Sequence, residues 1–479
     1  MSLFSKLRSV TAAVLTSASA LVSGWGSSGF DAANRSSRRG QVPGKGVVDF
    51  SRDFEEFERV EMVEQSRYIH KNSGTFRGYT RDMQTYSVGS GIRLQSKLDE
   101  PAWATPTMEL FDDWGKNCDI TGRFSLRKIQ RLICRAMDVD GEIFVHKTYD
   151  EYGTPKIQLI ETHRVGDFGL SDTVDGIKSD SRGRILWYRV QQDDGTLVRV
   201  PASAILHICD FEASSAGRGG PSMMHGITNA VDESELLAME KHAVKDGADI
   251  SRVITTEGGT FDDTGDFQPG IGDESVSESS NPATIQKITG GKVVMLKTGE
   301  KIEQFQNKRP SPTFTGFIQH LRRDTSMGLL PYEFTSEPSA VGGAGVRLVV
   351  AKADRIFSDR QDVLIEQFLE SVWFFVVGWL IDSEQVEVRP GWWKVSAVTP
   401  RRITVDAGRA DSSNRADIEL GIKSLSDHFA ELGGNMREEM RRRAEDMKYI
   451  QDLSEETGVP FDRLYNSMLK NQPKPAIAP

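Results

Sequence analysis

The groups with which this chain could do chemistry are few and poorly placed. The nearest thing to a carboxylate pair is Asp262–Asp263, the kind of pair that general acid–base work needs. It falls in a polar acidic segment where adjacent acids are ordinarily only solvated charge. Eight histidines are scattered with no HExxH and no Cys/His cluster, so no metal site is expected. Cys118, Cys134 and Cys209 are far apart, odd in number and without CxxC spacing. They read as small buried hydrophobes in a protein of a reducing cytoplasm. No G-x-x-x-x-G-K-[ST] phosphate loop exists, since Gly44–Lys45 and Gly291–Lys292 lack the partner residues, and no G-x-S-x-G nucleophile turn occurs. The GGAG at 342–345 could be half of a dinucleotide fingerprint, because a helix follows it. The segment before it, PYEFTSEPSA, is broken by Pro331 and Pro338 and is not the strand such a site requires. Neither catalysis nor a cofactor is expected.

What the stretch 335–357, TSEPSAVGGAGVRLVVAKADRIF, offers instead is mechanical. A loop with Gly342, Gly343 and Gly345 runs directly into a long amphipathic helix. A flexible loop pinned to a rigid helix suits the gripping of a moving or variable object better than the fixing of reacting groups.

The elements around it follow from periodicity. At 479 residues the chain has room for roughly two to four domains. Lys6 and Arg8 precede VTAAVLTSASALVSGW, which mimics a signal peptide with an A-x-A site at Ala18–Ala20. Thr11, Thr16, Ser17 and Ser19 dilute its apolar stretch, and a disordered or weakly helical arm is expected, followed by a mobile Gly/Ser/Arg linker at 23–49. Phe54, Phe57, Val60 and Val63 predict an amphipathic helix over 50–72. Further helices are expected near 105–117 and at 124–137, where Leu126, Ile129, Ile133 and Met137 share a face. Alternating stretches at 141–150, 155–162, 185–192, 196–201 and 204–208 predict a β-rich module of short antiparallel strands over 141–210. Pro221, with Asp232 and Glu235 resembling a capping box, introduces a helix to about Asp249. Residues 257–281 hold seven acidic residues and no Lys or Arg, so an exposed, mobile loop is expected there. Strand-like pieces at 251–256 and 292–296 flank it. Pro310 and Pro312 open a helix whose buried face is Phe314, Phe317, Ile318, Leu321 and Thr325. The long helix at about 346–382 aligns Val349, Ala353, Ile356, Leu364, Phe368, Val372 and Phe375. Two charged helices split by Gly433–Gly434 fill 411–452, ahead of an unstructured NQPKPAIAP tail.

Net charge is −10, whereas nonspecific nucleic-acid binders carry a basic balance, so tight binding of DNA over a large surface is not expected. No run of 18 apolar residues occurs; the longest, Val372 to Ile381, is about half of what crosses a bilayer, and no membrane partner is expected.

Several motifs, in order, carry a resemblance: GFDAANRSSR (29–38), SVGSGIRLQSK (87–97), RLICRAMDVDGEIFVHK (131–147), IQLIETHRVGD (157–167), and VPASAILHICD with GRGGPSMMHGI (200–227). LPYEFTSEPSAVGGAGVRLVVAKADRIFSDRQ (330–361) is the most specific block, and NRADIELGIKSLSDHFAELGGNMREEMRRRAED (414–446) completes the set. The chain resembles the portal proteins of lambda-type tailed bacteriophages over most of 28–455.

That resemblance implies an α+β portal fold. Its parts would be a flexible N-terminal arm (1–49), a β-rich wing (50–220), a first stem helix (221–249), a clip with the acidic loop (250–309) and a second stem helix (310–331). A tunnel loop (332–346), a long wing helix with following strands (347–410) and a helical crown and tail (411–479) would complete it. The acidic segment departs from the family pattern by its length and charge. The resemblance also implies a non-enzymatic ring, dodecameric in the family, at one capsid vertex of the virion, assembled in the host cytoplasm. Its partners would be other copies of itself, the terminase large subunit, head-completion or connector proteins, major capsid and scaffolding proteins, and double-stranded DNA in the channel. DNA contacts would be confined to the tunnel loop (Ser336, Ser339, Gly342, Gly343, Gly345, Arg347) and to Lys308, Arg309, Arg322 and Arg323. The competing reading of those last four is ordinary surface or intersubunit salt bridges. Phe314, Phe317, Ile318 and Leu321 would pack the stem, against a neighbouring subunit or within one chain. Two other functional classes compete with the portal: a monomeric adaptor using the acidic loop, and a nucleotide-dependent hydrolase.

Overall fold

A computed structural model describes residues 48–249, 253–256, 300–303, 312–337, 341–403, 407–432, 434 and 436–467. The expectations for the N-terminal arm and linker, the acidic segment, the 292–296 strand, Lys308, Arg309, Ser339 and the C-terminal tail lie outside those residues. The chain divides into a unit ending at Glu55 and a second from Glu56 onward. Of the first, the described part is a four-residue helix α1 (Phe50–Asp53), with Phe50 and Phe54 ring centroids 5.7 Å apart.

The second unit opens with α2 (Glu56–Asn72), and here the expected face is wrong. Phe57 is 79% exposed and Val60 is exposed, while the inner face is Arg59, Val63, Ser66 and Ile69. A strict three-residue spacing drifts around a helix of 3.6 residues per turn, so Phe54, Phe57, Val60 and Val63 cannot share one face. Helix α3 (Gly74–Met83) is N-capped by Ser73, whose hydroxyl accepts from the Phe76 amide, and it runs into a π-helical turn at Gln84–Val88. Strand β1 (Arg93–Ser96), helix α4 (Pro101–Lys116) and helix α5 (Leu126–Val139) follow. Leu126, Ile129, Ile133 and Met137 are all buried, as their spacing requires.

The β-rich module is antiparallel throughout. Strands β2 (Glu142–Tyr149) and β3 (Pro155–Ile160) form one three-stranded sheet with β7 (Ile205–Cys209), in the order β3-β2-β7. Strands β4 (Ile177–Ser179), β5 (Ile185–Gln191) and β6 (Leu197–Pro201) form the other. A buried ionic cluster joins this module to α2. Arg59 donates to both Asp175 oxygens at 2.6 and 2.7 Å and to Thr162 Oγ1 at 2.9 Å. Arg218 donates to Glu142 Oε1 at 2.8 and 2.5 Å and to Asp175 Oδ1 at 2.9 Å. Glu142 also accepts from the Gly219 amide and pairs with His207 Nε2 at 2.8 Å. Burial pushes the Glu142 carboxyl up, but Arg218 and His207 outweigh it and hold it well below the usual carboxylate range.

Helix α6 (Ile227–Asp249) starts after a 3-10 turn at Met224–Gly226, later than Pro221 suggested. Asp232 lies inside it and is not its cap. Strands β8 (Val253–Thr256) and β9 (Glu300–Glu303) pair antiparallel, and β9 was not anticipated. Helix α7 (Pro312–Ser326) starts on Pro312 as expected, but stops at Ser326 and does not continue to 331. A short α8 (Tyr332–Thr335) leads to the long rod of α9 (Gly343–Leu364), a π-helical turn at Ile365–Leu369, and α10 (Glu370–Asp382). This 40-residue rod is long and apolar enough to cross a bilayer by composition. Its apolar side instead fills the core: Leu364, Phe368, Val372 and Trp373 are fully buried, and Trp373 packs 5.1 Å from Phe111 of α4. Gln367, inside the π turn, holds both the amide and the carbonyl of Cys209 at 3.0 Å. Strand β10 (Val395–Val398) pairs with β1. Helices α11 (Ala407–Glu419), α12 (Leu425–Glu431), α13 (Met436–Thr457) and α14 (Phe461–Ser467) follow; the first three occupy 411–452, where two were expected. The additional break falls at Gly421, which adopts φ +71°. Cys118, Cys134 and Cys209 are buried free thiols; burial pushes Cys118 and Cys134 up to about 12.

Candidate functional site: a helix pair and the start of the long helix

Helices α6 and α7 lie side by side, joined at one end by the β8–β9 pair. At the other end the backbones close on each other. A Cβ on Gly226 would stand 2.8 Å from the Thr325 Cα, so that position needs glycine, and one on Gly328 would stand 2.1 Å from His225 Cε1, so that the imidazole would have to shift. Ile318 and Leu321 are buried along the pair, together with Thr325. Phe317 is 50% exposed and Phe314 is half-buried. The four residues expected to pack the stem therefore split: two are already spent inside the subunit, and Phe317 is left facing out.

The candidate basic residues are also placed differently from one another. Arg322 is held by Glu233 at 2.7 Å, across the helix pair. Burial alone would lower its guanidinium, but the Glu233 hydrogen bond and charge outweigh that and raise it. Arg323 meets Glu333 at 3.4 Å and lies 5.6 Å over the Tyr332 ring. Both arginines thus sit in ion pairs within their own chain.

The segment between α8 and α9 is shorter than a 332–346 loop. Tyr332–Thr335 is helical, Ser336 is exposed, and Gly342 is the N-cap of α9, which places Gly343 and Gly345 in its first turn. Gly345 packs closely: a Cβ there would come 2.3 Å from Val341 Cγ1, so that the Val341 side chain would have to shift. Arg347 is exposed one turn into the rod. Among the described residues just before Gly342 none is in a strand, and Tyr332–Thr335 is helical, which is not the context that a dinucleotide fingerprint needs. A groove of about 350 Å³ opens beside this segment, lined by Asp82, Tyr86, Glu333, Phe334, Val341, Val346 and Val349 among others. Under it Tyr86, Phe334 and Phe357 form a trio with centroids 5.3 to 5.6 Å apart. Sequence reasoning missed Glu233, Asp82 and the aromatic trio. Arg322 and Glu233 are 89 positions apart, and no local spacing announces such a pair. Among the described residues no group of three or more His, Cys, Asp or Glu could hold a metal ion. What the arrangement offers is a packed pair of helices, a groove beside the start of the long helix and exposed apolar side chains.

A family model described as phage portal protein, lambda family, matches residues 49–361. A curated relative, the "Probable portal protein" of Halomonas phage phiHAP-1, is 23% identical over 286 residues, covering 54% of this chain and 54% of that protein. The chain thus matches about half the length of that relative. The fold is also similar to that of a protein in the neck of an empty GTA particle computed with C6 symmetry. There the TM-score is 0.50 at 14% identity, covering 79% of this chain and 94% of that one. With well over half of its length matched by the family model, the chain belongs to the lambda family of phage portal proteins.

Proposed function

We propose that copies of this chain close into a ring at one vertex of the phage capsid, and that double-stranded DNA enters through the ring during packaging and leaves through it during ejection. The observation that carries this reading is the family match over 49–361. The family is structural rather than enzymatic, so the packaging ATPase is a separate terminase that docks on the ring, as head-completion proteins do later. Twelve is the copy number that the portal resemblance implies. The acidic balance, −10 overall, suits a conduit: a wall that bound phosphates strongly would hold DNA still, whereas repulsion toward the axis lets it slide. Lys308, Arg309, Ser336, Ser339 and the Gly342–Arg347 stretch remain the proposed places of DNA contact. Arg322 and Arg323 fit that role less well, because each already has a carboxylate partner. The exposed Phe317 on α7 supports a contact between neighbouring copies.

Electron microscopy of the purified full-length protein tests the reading. Rings with a central hole wide enough for a duplex are expected. Compact single molecules under conditions that support capsid assembly would overturn it and favour the adaptor.

A further inference from the structure

The first half of the long rod has two unlike faces. An α-helix turns about 100° per residue, so Val346, Val349 and Val350 lie on one side of α9, while Ala344, Leu348, Lys352 and Arg355 lie on the other. The first side forms part of the 350 Å³ groove, together with Phe334, Val341 and Ile403. Its floor is apolar and its rim carries Asp82 and Glu333. Glu333 has Arg323 as a partner, but among the described residues Asp82 makes no ion pair. Asp82 is half-buried, and burial pushes its carboxyl up, outweighing the Thr335 hydroxyl and the Arg81 charge, which lower it. The second side carries Leu348, 59% exposed, between Lys352 and Arg355. Both cations are exposed, and among the described residues neither has an ion-pair partner. One side of the rod is thus an apolar groove edged by acids, and the other is an apolar knob edged by bases. A single molecule cannot join them, because they stand on opposite sides of one helix.

We propose that Leu348 of one copy seats in the Val341–Val346–Val349 groove of the next copy, with Lys352 or Arg355 meeting Asp82. The proposal rests on the ring reading and assigns that ring a specific contact. It is heterologous, knob on one flank and groove on the other, as closure by rotation requires. Charge complementarity is what selects a second copy as the occupant, since the chain itself supplies the basic, apolar knob that an acid-edged apolar groove fits.

Mass photometry of the full-length protein over a concentration series tests this, with thermal melting of each variant alongside. Leu348→Asp and Asp82→Lys are each expected to raise the subunit concentration at half-assembly by about tenfold or more, because each leaves a charge unpaired or opposes like charges. The Leu348→Asp melt should match wild type, since that side chain is exposed in the subunit. The combination Asp82→Lys, Lys352→Glu, Arg355→Glu should recover assembly. Leu348→Asp assembling like wild type, Leu348→Asp melting early, or the reversed charges failing to recover assembly would each overturn the contact. Rings formed by wild type and Leu348→Asp alike sink this contact only, whereas a wild type that never assembles sinks the ring reading itself.

Discussion

At the residue scale, Arg218 matters most to the subunit. Its guanidinium bridges two buried carboxylates, Glu142 and Asp175, and removing it leaves Glu142 with no arginine in the interior, while Asp175 keeps Arg59. Arg218→Met should therefore cost about 3–5 kcal/mol at neutral pH, the usual penalty for breaking a buried ion pair from one side. The pH dependence has a definite sign. The Glu142 carboxyl is held well below its unfolded value, so its stabilisation is complete above about pH 4.5 and disappears as pH falls through the depressed folded value. Denaturant unfolding of wild type should show stability lost in acid well below pH 4.5, while Arg218→Met is already weakened at neutral pH and loses less on acidification. A wild type and variant that share one pH profile would contradict this account. None of the cluster was visible beforehand. Arg59 meets Asp175 across 116 positions, and a buried arginine in an apparently amphipathic helix looks like a surface charge until its partner is found.

At the element scale, the helix pair separates two jobs that one apolar stripe seemed to share. Leu321→Ala should cost about 2–5 kcal/mol of subunit stability, because that side chain is buried against α6. Phe317→Ala should change subunit stability by less than about 0.5 kcal/mol, yet impair assembly. Chemical denaturation and sedimentation of both variants separate the effects; equal destabilisation would mean that Phe317 is core after all. The elements themselves were largely legible. The face Leu126, Ile129, Ile133, Met137 of α5, the five anticipated strands of the β-module and the Pro312 start of α7 all follow from periodicity and proline chemistry. Helix starts fixed by tertiary contact were not. Helix α6 begins at Ile227, where Gly226 meets Thr325, and α9 begins at Gly343, where Val341 folds back over Gly345. Glycines that read as loop can serve close packing at a helix end, and the residue type alone does not separate the two uses.

At the scale of the whole molecule, the core ends early. Among the described residues none beyond Val395 is buried, although Leu420, Ile422 and Tyr449 are large and exposed. Helices α11 to α14 therefore draw little stability from the rest of the subunit, and the Arg437–Asp99 pair at 2.6 Å is fully at the surface. Limited proteolysis of unassembled protein should cut within 407–467 sooner than within the described helices before residue 403, with those sites protected in assembled particles; equal cutting in both states would show that nothing covers these helices. The order of motifs along the chain revealed the family, yet the groove and knob of α9 were hidden, because Asp82 and Val346 meet only in three dimensions. The rod itself carries a last implication. Its π turn holds one more residue than the α-helical turn it replaces, so the two halves of the rod are out of phase by about a residue's rotation. Losing a single codon between Ile365 and Leu369 would restore regular winding, swing Gln367 away from the Cys209 backbone and turn Trp373 off Phe111, while every other residue kept its identity. At that point it is the length of the chain, more than its chemistry, that evolution is obliged to keep.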